Sequence, residues 1–150
     1  MQILSVSSNK DAQRVQARIH IPEEIGSKID ALRMQWNPEL ASNNPAHITV
    51  VYHDEAPDAD LLRSRLERVC PELRSFNLRL GVVRRFDGPD AWAYIEVVDP
   101  GGGVAQLRDL LLGTPFTRRA RFGLHVTLLH PSYGLRLADA WDDLSKLRIN

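Results

Sequence analysis

The chain follows one plan twice, and that repetition constrains its fold more than any other feature. A β-forming run meets a proline, a helical pattern follows, and a second β-forming run closes the unit. Pro22 lies 25 residues before His47, and Pro100 lies 25 residues before His125. Ile29 and Leu107 also occupy matching places in the two runs. The repeats extend over about residues 16–53 and 91–131. A single strand–helix–strand unit of this size has too little apolar surface to close a core alone, so two of them are expected to combine into one bilobal α+β domain spanning residues 1–150.

The local patterns place the elements. Ala17 to Ile21 reads as a strand, and after Pro22 the residues Ile25, Ile29, Leu32 and Trp36 recur at near-helical spacing up to Asn37-Pro38. Ser42-Asn43-Asn44-Pro45 reads as a loop before the β-rich stretch Ala46 to His53. Asp58 is placed to cap a helix whose Leu62, Leu66 and Val69 share one face and which Pro71 stops. Phe76, Leu78, Leu80 and Val82 alternate with polar residues or glycine, a strand pattern that ends at the turn Asp87-Gly88-Pro89. The second repeat gives a strand over Ala91 to Val98, a helix carrying Val104, Leu107, Leu110 and Leu111, and a strand over Phe122 to Leu129. Tyr133-Gly134 reads as a turn, followed by a short helix over Leu135 to Leu144 with Leu137 and Trp141 inward.

Charge and cysteine usage narrow the function classes. Nineteen basic residues balance nineteen acidic ones, so no large surface for duplex nucleic acid is expected. Only Lys10, Lys28 and Lys146 are lysine; the other sixteen basic residues are arginine, the side chain suited to planar contacts with phosphate. The lone cysteine, Cys70, cannot form an internal bridge and is read as a buried helix-end residue, which fits a reducing compartment. The first residues lack the flanks of a signal peptide, and no apolar run reaches membrane-spanning length. A cytoplasmic monomer with no membrane partner is the expectation. The glycine triplet at 101–103 has neither the Lys-Ser/Thr pair of a P-loop nor a dinucleotide fingerprint and reads as a flexible helix entry.

The chemistry is expected where the repeats carry the same tripeptide pattern: His47-Ile48-Thr49 and His125-Val126-Thr127. Side chains alternate along a strand, so histidine and threonine two positions apart share a face, roughly 6.6–6.8 Å apart, while Ile48, Val50, Val126 and Leu128 anchor the other. Two imidazoles with ordinary pKa values of about 6.5 can hold opposite protonation states near neutrality. One can take a proton from an attacking hydroxyl or water as the other gives one to the leaving oxygen. The threonine hydroxyls can donate to non-bridging phosphate oxygens.

Two His-x-Thr motifs on equivalent strands of a duplicated domain resemble the two-histidine phosphoesterase superfamily, which includes bacterial 2′,5′-RNA ligase-like proteins and cyclic phosphodiesterases. The resemblance covers about Ala17 to Tyr133. It implies two antiparallel-sheet lobes with outer helices and a central groove. It also implies metal-independent hydrolysis or reversible formation of 2′,3′-cyclic or 2′,5′-linked phosphodiesters, with a nucleotide or short RNA end as substrate. His47 and His125 become the catalytic pair, and Thr49 and Thr127 the phosphate binders. A non-catalytic binder of a phosphorylated nucleotide-like ligand is the alternative, and an enzyme acting on a non-nucleic phosphodiester is a third reading.

The remaining candidates are weaker. Residues 1–75 carry nine basic against eleven acidic side chains and residues 76–150 ten against eight. Arg118, Arg119 and Arg121 precede the second motif with no acid between Gly113 and His125, and of these Arg121 is assigned to the substrate phosphate. Among the aromatics Tyr52, Phe86, Trp92 and Tyr133, Tyr133 is taken as the base-stacking residue and Trp92 as core. His53 and His130 read as strand-end histidines bonded to backbone, and His20 as a mid-strand residue. Neither His47/His53 nor His125/His130 has a chelating spacing, so neither a metal nor another cofactor is expected.

Overall fold

The computed structural model describes residues 4–9 and 14–149. Among the described residues, six strands form two sheets of three. The first sheet has the order β1 (Leu4–Asn9), β2 (Arg14–His20), β3 (His47–Val51), and the second the order β4 (Arg79–Phe86), β5 (Trp92–Val98), β6 (His125–Leu129). β1 pairs antiparallel with β2 from Leu4↔Ile19 to Asn9↔Arg14, and β5 pairs antiparallel with β6. The helices are α1 (Glu23–Trp36), α2 (Pro38–Asn43), α3 (Ala59–Val69), α4 (Gly103–Leu111) and α5 (Leu137–Leu144), with a 3-10 helix at Pro131–Arg136. The mixed α+β class is as expected from the sequence.

The chain divides into two compact units, and each is assembled from three segments. Unit 1 takes the chain up to His20, Ile48–Arg79 and Asp99–Leu124; unit 2 takes Ile21–His47, Leu80–Val98 and the chain from His125 onward. The units therefore do not follow the sequence repeats. α1 follows β2 in the chain but lies in unit 2, where it packs on β6. α4 follows β5 but lies in unit 1, where it packs on α3.

The core of unit 1 joins Val15 and Ala17 of β2, Val50 and Val51 of β3, Leu62 and Leu66 of α3, and Val104, Leu107 and Leu111 of α4. α3 begins where the sequence places it, because the Asp58 carboxylate accepts from the Leu61 amide at 2.9 Å and satisfies a donor that the first helical turn leaves open. Cys70 closes that helix half-buried, and burial pushes its thiol pKa up. At α4 the glycine triplet is more specific than a flexible entry. Gly102 adopts a left-handed φ of 69°, and the Asp99 carboxylate caps the helix by accepting from Gly103 and Val104, each at 2.9 Å. A Cβ at Gly103 would strike the ring of Phe76, so the missing side chain is what admits that ring.

In unit 2, Ile29, Ala93, Ile95, Val126, Leu128, Leu129, Leu137 and Leu144 are buried, with α5 packed on β5. α1 carries Glu23 and Glu24 in its first turn and Arg33 in its last, each sign matched to the helix dipole. It stops at Trp36, and Pro38 then opens the short α2 from within the stretch read as the end of a helix and a loop.

Three boundaries differ from the sequence reading. The strand expected over Phe76–Val82 runs instead from Arg79 to Phe86, because Phe76 and Leu78 pack against the core of unit 1. The last strand begins at His125 rather than Phe122, since Phe122 and Leu124 are also drawn to that core. β1 is additional, and His20 is the last residue of its strand rather than a central one. No described helix is long and apolar enough to cross a membrane.

Candidate active site

The two His-x-Thr strands have the same burial pattern. In β3, Ile48, Val50 and Val51 are buried while His47 and Thr49 are half-buried; in β6, Val126, Leu128 and Leu129 are buried while His125 and Thr127 are half-buried. The alternation read from the sequence is therefore realised in both strands, with the imidazole and hydroxyl of each motif on its more open face. His47, His125 and Thr127 belong to unit 2 and Thr49 to unit 1; the chain passes from one unit to the other directly after His47 and directly before His125.

His47 is held by its own loop. Its Nδ1 lies 2.7 Å from the Pro45 carbonyl oxygen, which can only accept, so Nδ1 carries the hydrogen and the neutral ring has its lone pair on Nε2. The loop is fixed in turn by α1, where the Asp30 carboxylate accepts from the Ala46 amide at 3.0 and 3.1 Å and pairs with the buried Arg33. Asp30 gave no sign of this in the sequence, because its target is a backbone N–H sixteen residues away.

His125 has a different surrounding. Its antiparallel partner across the pair is Glu96, and that of Thr127 is Tyr94, so these four side chains share one face of the sheet. Trp92, two residues before Tyr94, meets the His125 ring edge-on at 4.8 Å between centroids. The indole is half-buried on this face, whereas the sequence reading placed it in the core; the buried side of β5 is taken by Ala93, Ile95 and Val97. Arg84 of β4 reaches Glu96 at 3.5 Å.

β6 is secured at its far end by Asn37, which is fully buried. Its amide nitrogen donates to the carbonyls of Arg33 at 2.8 Å and Leu128 at 3.0 Å, and its oxygen accepts from the His130 amide at 3.3 Å. His130 then caps the 3-10 helix, with Nδ1 accepting from the Ser132 amide at 3.1 Å. Burial, assisted by the charge of Arg33, lowers the pKa of this imidazole. This is the backbone role expected of a strand-end histidine. His53 lies in the turn after β3.

The three arginines before the second motif have separate surroundings. Arg118 pairs with Asp109 at 2.6 Å. Arg119 forks onto Asp54, with Nε–Oδ2 at 2.9 Å and Nη2–Oδ1 at 2.8 Å, and lies over the Tyr52 ring at 3.7 Å. The Arg119 hydrogen bond holds the Asp54 carboxyl below its ordinary pKa, against a smaller opposing effect of burial. Arg121 is exposed, with no ion pair among the described residues. Tyr133 is on the 3-10 helix beyond β6, where its hydroxyl donates to Glu39 at 3.1 Å and its ring faces Arg136 at 5.3 Å.

A buried ion pair fixes the loops of unit 1 that flank the motifs. Arg108 and Glu55 meet at 2.6 and 3.0 Å, and Glu55 also accepts from the amides of Tyr52 at 3.1 Å and Arg119 at 2.9 Å. Burial works to raise the Glu55 pKa, but the Arg108 fork, the two amides and the Arg108 charge together hold it below the ordinary carboxylate range. The Arg108 guanidinium is covered by the Phe122 ring at 3.5 Å.

Against known families, the model of the 2′-5′ RNA ligase superfamily matches residues 21–149. The chain belongs to the 2′-5′ RNA ligase superfamily. The match takes in both His-x-Thr strands and agrees with the two-histidine phosphoesterase resemblance. Membership supports phosphoesterase or ligase-like chemistry in general. Comparison with curated proteins gave no match, and comparison with solved structures gave none either. Among the described residues, no three or more histidine, cysteine or acidic side chains gather as a metal site.

Proposed function

We propose that this superfamily member is a metal-independent phosphoesterase that hydrolyses or reversibly forms 2′,3′-cyclic or 2′,5′-linked phosphodiesters of nucleotides or short RNA ends. His47 and His125 exchange the protons, and Thr49 and Thr127 donate to the non-bridging oxygens. The observation that carries this reading is the shared burial pattern of β3 and β6, which leaves one imidazole and one hydroxyl on the open face of each motif strand. Each histidine supplies typically 10²–10⁴-fold in rate as a general acid or base. At His47 the Pro45 carbonyl fixes the tautomer, so Nε2 is the atom that exchanges the proton with substrate. Which histidine acts as acid follows from the bond being broken, since the reverse reaction exchanges the roles.

The test is turnover of nucleoside 2′,3′-cyclic phosphates in the presence of a chelator. His47→Ala and His125→Ala are each expected to lose at least about a hundredfold in kcat/KM, and the rate of the unmodified chain should be unchanged by EDTA. Full activity in either variant refutes the assignment. Binding of nucleotide by calorimetry without any turnover turns the reading toward a non-catalytic binder.

A further inference from the structure

The offset of 78 residues that carries His47 onto His125 and Thr49 onto Thr127 also carries β2 onto β5 and β3 onto β6, residue for residue. Within each sheet the two strands are neighbours. Val15 and Ala17 of β2 are buried, as are Ala93 and Ile95 of β5, so alternation turns Arg18 and Glu96 to the other face of their strands. These two positions match in the repeats, yet they carry opposite charges.

Glu96 is the antiparallel partner of His125. Its carboxylate fits beside β4 because Gly81 lacks a side chain; a Cβ there would lie 3.4 Å from Oε2. Arg84 offsets part of the charge at 3.5 Å, but both side chains are about half exposed and water screens the pair. The other neighbours of His125 on this face, Trp92 and Tyr94, are aromatic. α1, which packs on β6, carries Asp30 and Arg33, and these pair with each other. In the first sheet, Gln16 and His20 share the Arg18 face of β2. The Asp30 carboxylate that holds the His47 loop is matched by Arg33. Arg18 itself is only 9% exposed. Burial pushes its pKa down, but a guanidinium stays charged at neutral pH, and its field is screened less than that of a surface cation.

A nearby cation disfavours a protonated imidazole and a nearby anion favours it. We propose that Arg18 and Glu96 decide where the single proton of the histidine pair rests, keeping it off His47 and on His125. They are positioning residues that act through the imidazoles, and the proposal rests on the phosphoesterase reading above. In hydrolysis of a cyclic diester, His47 Nε2 takes a proton from water as the water oxygen bonds to phosphorus. His125 gives its proton to the departing oxygen as that P–O bond breaks. Exchange with solvent then restores the starting state, and ring closure runs the same steps backwards.

The experiment follows the His47 and His125 ring signals by NMR through a pH titration of the unliganded protein. Glu96→Gln should move the His125 midpoint down and Arg18→Gln the His47 midpoint up, each by roughly half a pH unit. Arg84→Gln should move the His125 midpoint up, and Arg18→Lys, which keeps the charge, should leave His47 in place. The pH profile of kcat/KM for a nucleoside 2′,3′-cyclic phosphate gives a second readout. Glu96→Gln should draw in its alkaline limb and Arg18→Gln its acid limb, whereas damage to packing alone lowers the plateau and moves neither. A His125 midpoint unchanged in Glu96→Gln overturns the proposal, whether or not Arg18→Gln folds. So does an Arg18→Gln protein in which the alkaline limb moves instead. If the midpoints move as expected but no diester is cleaved, the charge setting stands and the phosphoesterase reading falls. If the diester is cleaved with midpoints and limbs unmoved, the phosphoesterase reading stands and this proposal falls.

Discussion

Replacing Asn37 tests how β6, and with it His125 and Thr127, is held. The side chain is fully buried and replaces a missing strand neighbour at the end of β6: it donates to the Leu128 carbonyl at 3.0 Å and accepts from the His130 amide at 3.3 Å. The Arg33 carbonyl also loses a donor in Asn37→Ala, but it keeps the Asn37 backbone amide at 2.7 Å. Two backbone groups are therefore stranded. At about 1–3 kcal/mol for each unsatisfied buried group, the expected loss in unfolding free energy is about 2–6 kcal/mol. Asn37→Asp keeps the acceptor but turns a carboxylate oxygen toward two carbonyls, so at neutral pH it should cost more than alanine. Its native-state pKa would be raised, and as pH falls from that value toward the unfolded value of about 3.9 its penalty should diminish. Urea unfolding of the three proteins, read with hydrogen exchange at the His130 amide, measures both effects. An alanine variant within about 0.5 kcal/mol of the parent, with His130 still protected, would refute this account of the strand end.

Three further outcomes follow from other contacts. His130 accepts at Nδ1 from Ser132 and has a lowered pKa through burial and the Arg33 charge, so the unfolded chain binds a proton that the folded one resists. Stability should fall as pH drops through about 6.5 and level off below the folded value; His130→Asn should flatten the urea midpoint across that window, and equal slopes would count against the argument. Glu55→Ala leaves the buried Arg108 without its carboxylate and should cost about 3–5 kcal/mol in chemical denaturation. Asp58→Ala removes the α3 cap and should cost about 0.5–2 kcal/mol, visible as a lower Tm.

What could be read in advance depended on how local the cause was. β3 and β6 were evident because strand alternation is written in adjacent residues, and the histidine and threonine faces came with it. α3 and its Asp58 cap are similarly local. The start of β4 was not, because Phe76 and Leu78 alternate as a strand would, yet the space left at Gly103 draws the Phe76 ring into the core of unit 1. No window of sequence around Phe76 contains that glycine. The same holds for Asn37 and Asp30, whose partners at Leu128, His130 and Ala46 are distant backbone groups with no side-chain signature.

The placement of Trp92 shows where this limit bears on function. Its neighbours give a strand with strict alternation, which fixes that Trp92, Tyr94 and Glu96 share a side but not which side packs. Composition favours burying the aromatics, since indole and phenol carry more apolar area than Ala93, Ile95 or Val97 taken singly. The cross-strand pairing decides otherwise. Once Val126 is buried, its antiparallel pairing with Ile95 commits that residue to the same side and turns Glu96 and Tyr94 toward His125 and Thr127, while the ladder shifts register beyond Tyr94. Burying Trp92 instead would require Glu96 to enter the apolar side as well, and an unpaired carboxylate there costs far more than an aromatic ring gains. One charged residue in the alternation thus fixes the register that sets the aromatic pair beside the second motif.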